Sequence, residues 1–382
     1  MNKYYSMKKL IATGARYLIA FGERSNGKTY QALEYSLTQY IKHGEQTAII
    51  RREQEDFKGQ RAGQYWDNLV CNGEGVNRVK EITKGKYDCI NYYAGKWFLA
   101  NYDEELCKFI NASEPFAFAF ALSNMEHEKG NSYPNITQVV FDEFMTRGSN
   151  GRGYLPDEFV LFMNTLSTII RQRDNVKIIM CANTVSRYCP YFEEMGLKHV
   201  RQMKRGTIEV YNYGDSGLKV AVEYCDRASA FKPSDVYFAF DNPKMQMITG
   251  QGDNIWELDI YPHLKNKYEV KDIKFSYFVV FHEDILQADI IIKDNEAFTF
   301  IHRKTTPIKY EDQDIIFTTE ADQRSNYMGK LTKPLSKAGK KILYFFAANK
   351  VFYASNEIGE IMNHYLKLAD RKSGSAGMPR PI

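Results

Sequence analysis

Eight residues constrain this chain more than any others. Gly22-Glu23-Arg24-Ser25-Asn26-Gly27-Lys28-Thr29 matches GxxxxGK[ST] directly after the apolar run Tyr17-Leu18-Ile19-Ala20-Phe21. A glycine-bearing loop between a buried strand and a helix turns successive backbone N–H groups inward at a helix N-terminus, where they wrap a triphosphate. Lys28 then neutralises β/γ oxygens, and Thr29 offers a hydroxyl to Mg²⁺. By average composition the pattern arises by chance about one or two times in a hundred chains of this length. Here it also sits after a strand and before a helix, which an ordinary glycine turn need not do.

The surrounding residues predict the domain that holds the loop. A helix is expected from about Lys28 to a stop at Gly44, then a strand at Thr47–Ile50. Tyr87 to Phe98 reads as a hairpin turning at Ala94-Gly95-Lys96, with further strands at Phe116–Leu122, Ile136–Phe141 and Val176–Cys181. Pro156-Asp157 opens a helix to about Gln172, with Phe159, Phe162, Met163, Leu166 and Ile169-Ile170 on its apolar face. This alternation predicts an α/β domain over residues 1–226 with a mainly parallel sheet, and with its loop the domain resembles a P-loop NTPase of the ASCE division. Residues 227–272 carry Pro233, Pro243, Gly250, Gly252 and Pro262 with little periodicity and read as a linker or small connecting subdomain. A smaller α/β domain is expected over 273–370. It opens with strands at Phe275–Phe281, Ala288–Ile292 and Ala297–His302 and closes with a helix near Glu357–Leu368. A flexible tail is expected over 371–382.

At 382 residues the chain exceeds what one core usually fills, in keeping with two domains. Its 51 Lys+Arg against 47 Asp+Glu leave a net charge of +4, which excludes a tail-driven polyanion binder but permits nucleic-acid contact at chosen places. Six cysteines without a CxxC pair and seven histidines without an HxxxH pair point to free buried thiols in a reducing compartment, with neither disulfide frame nor zinc site. Lys8-Lys9 before Leu10-Ile11-Ala12 is interrupted by Gly14 and Arg16, so it is not read as a signal peptide. The longest apolar run, Phe116–Leu122, is far short of a membrane span, and no membrane association is expected.

The second half of the site is Val139-Val140-Phe141-Asp142-Glu143. A strand ending in Asp142 can hold Mg²⁺ at the carboxyl end of the sheet, and Glu143 can polarise a water for attack on the γ-phosphate. That pair favours ATP hydrolysis over transfer to another substrate. Asn183, in Cys181-Ala182-Asn183-Thr184, is placed either to sense the γ-phosphate or simply to end a strand. Arg171 and Arg173 lie where a helix gives way to a strand. They can stabilise transition-state charge at a neighbouring subunit's nucleotide, or be the cations a helix C-terminus favours. Arg24 can contact the γ-phosphate in cis or from a neighbour, or pair with Glu23 or another acid.

Taken together, Asn131-Ser132-Tyr133-Pro134-Asn135, Asp142-Glu143-Phe144, Tyr154-x-Pro156, Arg171-x-Arg173, Ala182-Asn183-x-Val185-Ser186 and Pro190-Tyr191-Phe192 resemble the DNA-packaging motor ATPases of small tailed phages, the phi29-like group. A weaker likeness covers the GxRxxGK[ST] loop and the Gly44-Glu45-Gln46…Arg51-Arg52 segment. The resemblance implies a homomeric ring, pentameric, on the portal of a viral prohead in the bacterial host cytoplasm. It would drive double-stranded DNA inward by ATP hydrolysis, and some relatives dock on a structural packaging RNA. It further implies that Lys28 and Thr29 bind nucleotide and Mg²⁺, that Asp142 holds the metal and that Glu143 is the catalytic glutamate. Arg171 becomes the trans-acting finger, with Arg173 the second choice. The second domain is implied to be RNase H-like. Asp289 and Asp294 lie near strand ends without a convincing carboxylate cluster, so no nuclease activity is expected.

Sequence-independent translocation needs phosphate contacts, not base readout. Candidates are Arg51, Arg52 and Lys58, the loop bearing Arg147 and Arg152, and the run Arg324–Lys350, which has no Asp or Glu. Any of these basic stretches can equally be a solvated face. Two other classes compete with the motor: another ASCE translocase or helicase, and a nucleotide-gated switch or small-molecule kinase. A GTP switch would want an NKxD motif, whereas Asn349-Lys350 continues into Val351-Phe352.

Overall fold

The computed structural model describes residues 4–24, 26–72, 75–124, 131–146, 153–185, 188–226, 261–265, 268–329 and 337–375. These fall into two compact units, divided between residues 226 and 261. The first unit is built on ten strands: β1 (Tyr17–Gly22), β2 (Gln46–Arg51), β3 (Cys89–Tyr93), β4 (Lys96–Asp103), β5 (Lys108–Asn111), β6 (Ala117–Ala121), β7 (Ile136–Asp142), β8 (Lys177–Asn183), β9 (Thr207–Tyr213) and β10 (Leu218–Tyr224). Their order is β3-β4-β6-β2-β7-β8-β1-β10-β9, with β5 paired to β4. The stretch β6-β2-β7-β8-β1-β10 is parallel throughout, and the flanking pairs are antiparallel. Central strands such as β1 and β7 read as near-continuous apolar runs because both faces are covered.

This is the mainly parallel α/β fold expected from the sequence. Most expected strand ends shift by no more than two residues, but the second strand of the hairpin runs to Asp103 where Phe98 was expected, and neither β5 nor the β9–β10 hairpin was anticipated. Gly214 and Gly217, both at positive φ, mark its turn, and Leu218-Lys219-Val220-Ala221-Val222 is a legible strand run beside β1. The helix Lys28–His43 runs between left-handed Gly27 and Gly44. The helix Glu158–Ile170 buries Phe162, Leu166 and Ile169, but Met163, expected on the same face, is exposed.

The consequence for function is geometric. Parallel strands bring their carboxyl ends to one edge, where Gly22 lies beside Asn183, Asp142 beside Cys181 and Phe141 beside Ile50. Residues far apart in the chain therefore meet around the glycine loop.

The second unit has β11 (Ile273–Phe281), β12 (Asp284–Lys293), β13 (Glu296–Arg303), β14 (Ile316–Thr318), β15 (Tyr327–Met328) and β16 (Val351–Tyr353), ordered β15-β14-β11-β12-β13-β16. The first three are antiparallel; β14, β15 and β16 join in parallel. Its helices span Lys337–Ala347, not anticipated, and Asn356–Ser375. The last helix thus takes in residues 371–375 of the expected flexible tail, and 376–382 lie outside the described residues. Of the expected linker, 227–260 lies outside the described residues, and Tyr261 belongs to this unit. Its ring lies on Gly359, where a Cβ would come within 2.1 Å, and its hydroxyl donates to Glu360 at 2.8 Å.

All six cysteines are free, but only Cys181, Cys189 and Cys225 are buried; Cys71 and Cys107 are exposed. Among the described residues no helix is long and apolar enough to cross a membrane.

Candidate active site

Two glycines shape the loop for different reasons. At Gly22 a Cβ would press on the Cβ of Cys225 at 3.2 Å and on its carbonyl oxygen at 3.3 Å. Gly27 stands at φ 94° as the residue that starts the helix, a conformation that side chains strain to adopt. Lys28 follows, almost fully buried. Its Nζ donates to the Glu23 carbonyl at 2.6 Å, Asn26 Oδ1 at 3.0 Å and Asn183 Oδ1 at 3.4 Å. Burial pushes the ammonium's pKa down, opposed by the thiols of Cys225 and Cys181 and by Asp142 and Glu23. The Nδ2 of Asn26 is buried without a partner among the described residues. The ammonium is thus ringed by oxygen acceptors in the loop, a cation that an anion can claim.

Thr29 Oγ1 donates to Asp142 Oδ1 at 2.8 Å. The other carboxylate oxygen accepts from Arg51 Nη1 at 3.0 Å and from the Tyr65 hydroxyl at 3.3 Å. A hydroxyl and one carboxylate oxygen side by side at the mouth of a phosphate loop fit Mg²⁺, which is ordinarily held by one or two protein oxygens plus phosphates and water. Thr29 and Asp142 would hold it, giving up their mutual hydrogen bond. Burial and the Asp142 charge push the Tyr65 hydroxyl's pKa far up, so it stays a donor.

Glu143 adopts φ 56°, a left-handed conformation uncommon outside glycine and often found at functional sites. That turn carries its carboxylate off the end of β7. Its Oε2 accepts from Arg51 Nη2 at 2.7 Å, yet the side chain is 60% exposed. It faces a cavity of about 550 Å³ lined by Arg24, Arg52, Glu143, Met145, Thr146, Asn183 and Val185. Burial works against the charge of Arg51, but Asp142 and Glu143 outweigh it, and the guanidinium is held more firmly protonated.

Residues 1–214 match the family described as Podovirus DNA encapsidation protein (Gp16). The chain belongs to that family. The DNA packaging protein of Bacillus phage B103 is 31% identical over 176 residues, 46% of each chain. That of Bacillus phage phi29 is 26% identical over 189 residues, 50% of this chain and 49% of the other. The chain therefore spans about half the length of the curated relatives it matches. A solved structure of the bacteriophage phi-29 viral genome packaging motor assembly shares the fold, with a TM-score of 0.55 at 20% identity, covering 96% of this chain and 100% of that one.

The fold gathers Gly22, Glu23, Arg24, Asn26, Gly27, Lys28, Thr29, Asp142, Glu143 and Asn183 at one sheet edge; Ser25, Arg147 and Arg152 lie outside the described residues. Arg171 and Arg173 are at the opposite edge. Arg173 donates to the carbonyls of Tyr133, Pro134, Ile136, Ile169 and Ile170, which staples the helix end to the start of β7. Arg171 Nη2 donates to the Asn131 carbonyl at 2.5 Å. Seven residues of β7 (about 20 Å at about 3.3 Å per residue) separate that edge from the site, so neither reaches the glycine loop of its own chain.

Arg51 and Arg52, expected among DNA contacts, are instead engaged by carboxylates within the site, with side chains only 17% and 13% exposed. Arg51 ends β2 and Arg52 follows it, and β2 is the immediate neighbour of β7, a pairing that one sequence does not display. Lys58 is exposed and paired with Glu55. Glu23 is bound by Arg205 Nη1 at 2.6 Å. Tyr65, Glu158 and Arg205 were not read as site residues; only Glu158, an acid at the first turn of a legible helix, gave a local signal.

Proposed function

We propose that this protein is the motor of viral genome encapsidation, hydrolysing ATP to move double-stranded DNA into a prohead. One observation carries the reading: the convergence of Lys28, Thr29, Asp142 and the solvent-facing Glu143 around one glycine loop, in a chain of the encapsidation family. Lys28 neutralises phosphate charge, Thr29 and Asp142 hold the Mg²⁺ of the nucleotide, and Glu143 polarises the attacking water. Asn183, hydrogen-bonded to Lys28, senses the γ-phosphate.

Placement of Arg171 away from its own loop supports a finger acting on a neighbouring copy, and hence a homomeric ring, pentameric in this reading. Its partners are DNA, other copies of itself and the prohead portal in the host cytoplasm. The order of β13, β12, β11, β14 and β15, antiparallel then parallel, supports reading the second unit as an RNase H-like domain. The division at 1–226, 227–272 and 273–370 belongs to the same proposal.

The deciding measurement is ATP hydrolysis by the purified protein with and without double-stranded DNA. Stimulation by DNA is expected. Basal turnover indifferent to DNA would shift the reading to a nucleotide-gated switch.

A further inference from the structure

Glu143 holds a left-handed conformation that its own backbone does not favour, so something outside must fix it. The carbonyls of Glu143 and Phe144 supply the handle. Arg52 Nη1 donates to the first at 3.3 Å and Arg52 Nη2 to the second at 2.9 Å. The rest of the guanidinium is spent on Glu158: Nε to Oε2 at 2.7 Å and Nη2 to Oε1 at 2.8 Å. The carboxylate of Glu158 has no exposed surface, so this is a buried pair.

Glu158 is in turn saturated. Its Oε1 also accepts from the Tyr191 hydroxyl at 2.8 Å, and its Oε2 from the Leu155 N–H at 2.7 Å. Tyr191 is wedged among Phe141, Phe144 and Phe162, and the Arg52 guanidinium lies 5.2 Å from the centre of the Tyr154 ring. The motif residues Tyr154 and Tyr191 therefore close one network around the turn that carries Glu143. A planar fork can bind a carboxylate and two carbonyls at once; a point charge cannot.

We propose that Arg52, held by Glu158, is a positioning residue for hydrolysis: it fixes the Glu143–Phe144 turn so that the Glu143 carboxylate stands over the cavity. The proposal rests on the reading of Glu143 as the group that polarises water. A bare structural ion pair would lower the melting temperature and disturb binding and turnover alike. A positioning pair lowers turnover selectively, because nucleotide is held by the separate Lys28–Thr29–Asp142 set.

The test compares Arg52→Lys, which keeps charge and loses the fork, with Glu143→Gln and the double variant, each assayed well below its melting temperature. For Arg52→Lys, kcat for ATP is expected to fall about 10- to 100-fold while the ATP dissociation constant changes by less than about twofold. The double variant is expected to be no slower than Glu143→Gln alone. Unchanged kcat in Arg52→Lys, a matching loss of ATP affinity, or a second full drop in the double variant would each overturn the proposal. Should Glu143→Gln itself turn over normally, the reading of Glu143 fails and takes the proposal with it. If Arg52→Lys melts below the assay temperature, Glu158→Gln is judged by the same criteria.

Discussion

Two buried strand carboxylates, Asp142 and Asp289, have opposite fates. Asp142 ends β7 at the sheet edge and is held by Thr29, Arg51 and Tyr65, side chains that can turn to other partners beside an open cavity. Asp289 sits inside β12, its Oδ1 accepting from Ser276 at 2.6 Å and Gln287 at 2.9 Å, and its Oδ2 facing His302 Nε2 at 3.1 Å. The three partners of Asp289 come from the paired strands β11, β12 and β13. The lesson is that burial alone does not make a carboxylate functional. Position at a strand end, partners with alternatives and a space to face do.

The sharpest way to break this contrast is to neutralise one acid from each region. Glu143→Gln should leave ATP binding intact and cut hydrolysis by about 10²- to 10⁴-fold, measured by steady-state phosphate release. Normal turnover in that variant would sink the assigned role. Arg171→Ala and Lys28→Ala should each be nearly inactive, with a loss for the finger of about 10³-fold. Mixing them should restore part of the activity, because intact loops then meet intact arginines. No rescue at any mixing ratio argues against action on a neighbour.

Asp289→Asn should instead act on stability, lowering it by about 1–3 kcal/mol in chemical denaturation by leaving His302 and its neighbours poorly matched. A large loss of basal ATP hydrolysis in a well-folded Asp289→Asn protein would erase the distinction drawn above. The smallest effect is the pH dependence of the same cluster. The hydrogen bond to Asp289 raises the pKa of His302 above its ordinary 6.5. Burial opposes the Asp289 charge, but hydrogen bonds from His302, Gln287 and Ser276 prevail and hold its pKa below 3.8. The stabilisation from His302 is therefore complete below pH 6.5 and lost as pH rises through its folded value, whereas that from Asp289 is lost as pH falls below 3.8. Between those limits both contributions are present together. Titration of the His302 ring by NMR checks it, and His302→Gln should flatten the alkaline limb.

Much of the first unit was legible from the chain alone. Apolar runs announced β1, β2, β6, β7 and β8, Gly27 and Gly44 bracketed the helix, and the Ala94-Gly95 turn closed its hairpin with both residues at positive φ. The β9–β10 hairpin was legible too, in the glycines at 214 and 217, yet went unread. The second unit was legible at its opening strands and at its last helix. β14 and β15 are too short to show a period, and the structure pairs each in parallel with a strand distant in the chain or equally short.

By itself, then, the sequence determined which residues form the loop proposed to hold phosphate. A glycine loop between strand and helix is a local device, and the spacing from Gly22 to Thr29 carries its whole geometry. The tertiary structure alone decided which side chains meet the carboxylates beside that loop. Arg51 reaches Asp142 and Glu143, and Arg52 reaches Glu158, only because β2 is laid next to β7 in a parallel sheet. Strand order arises from long crossovers whose partners are chosen by the packing of the whole core, and no local period encodes that choice.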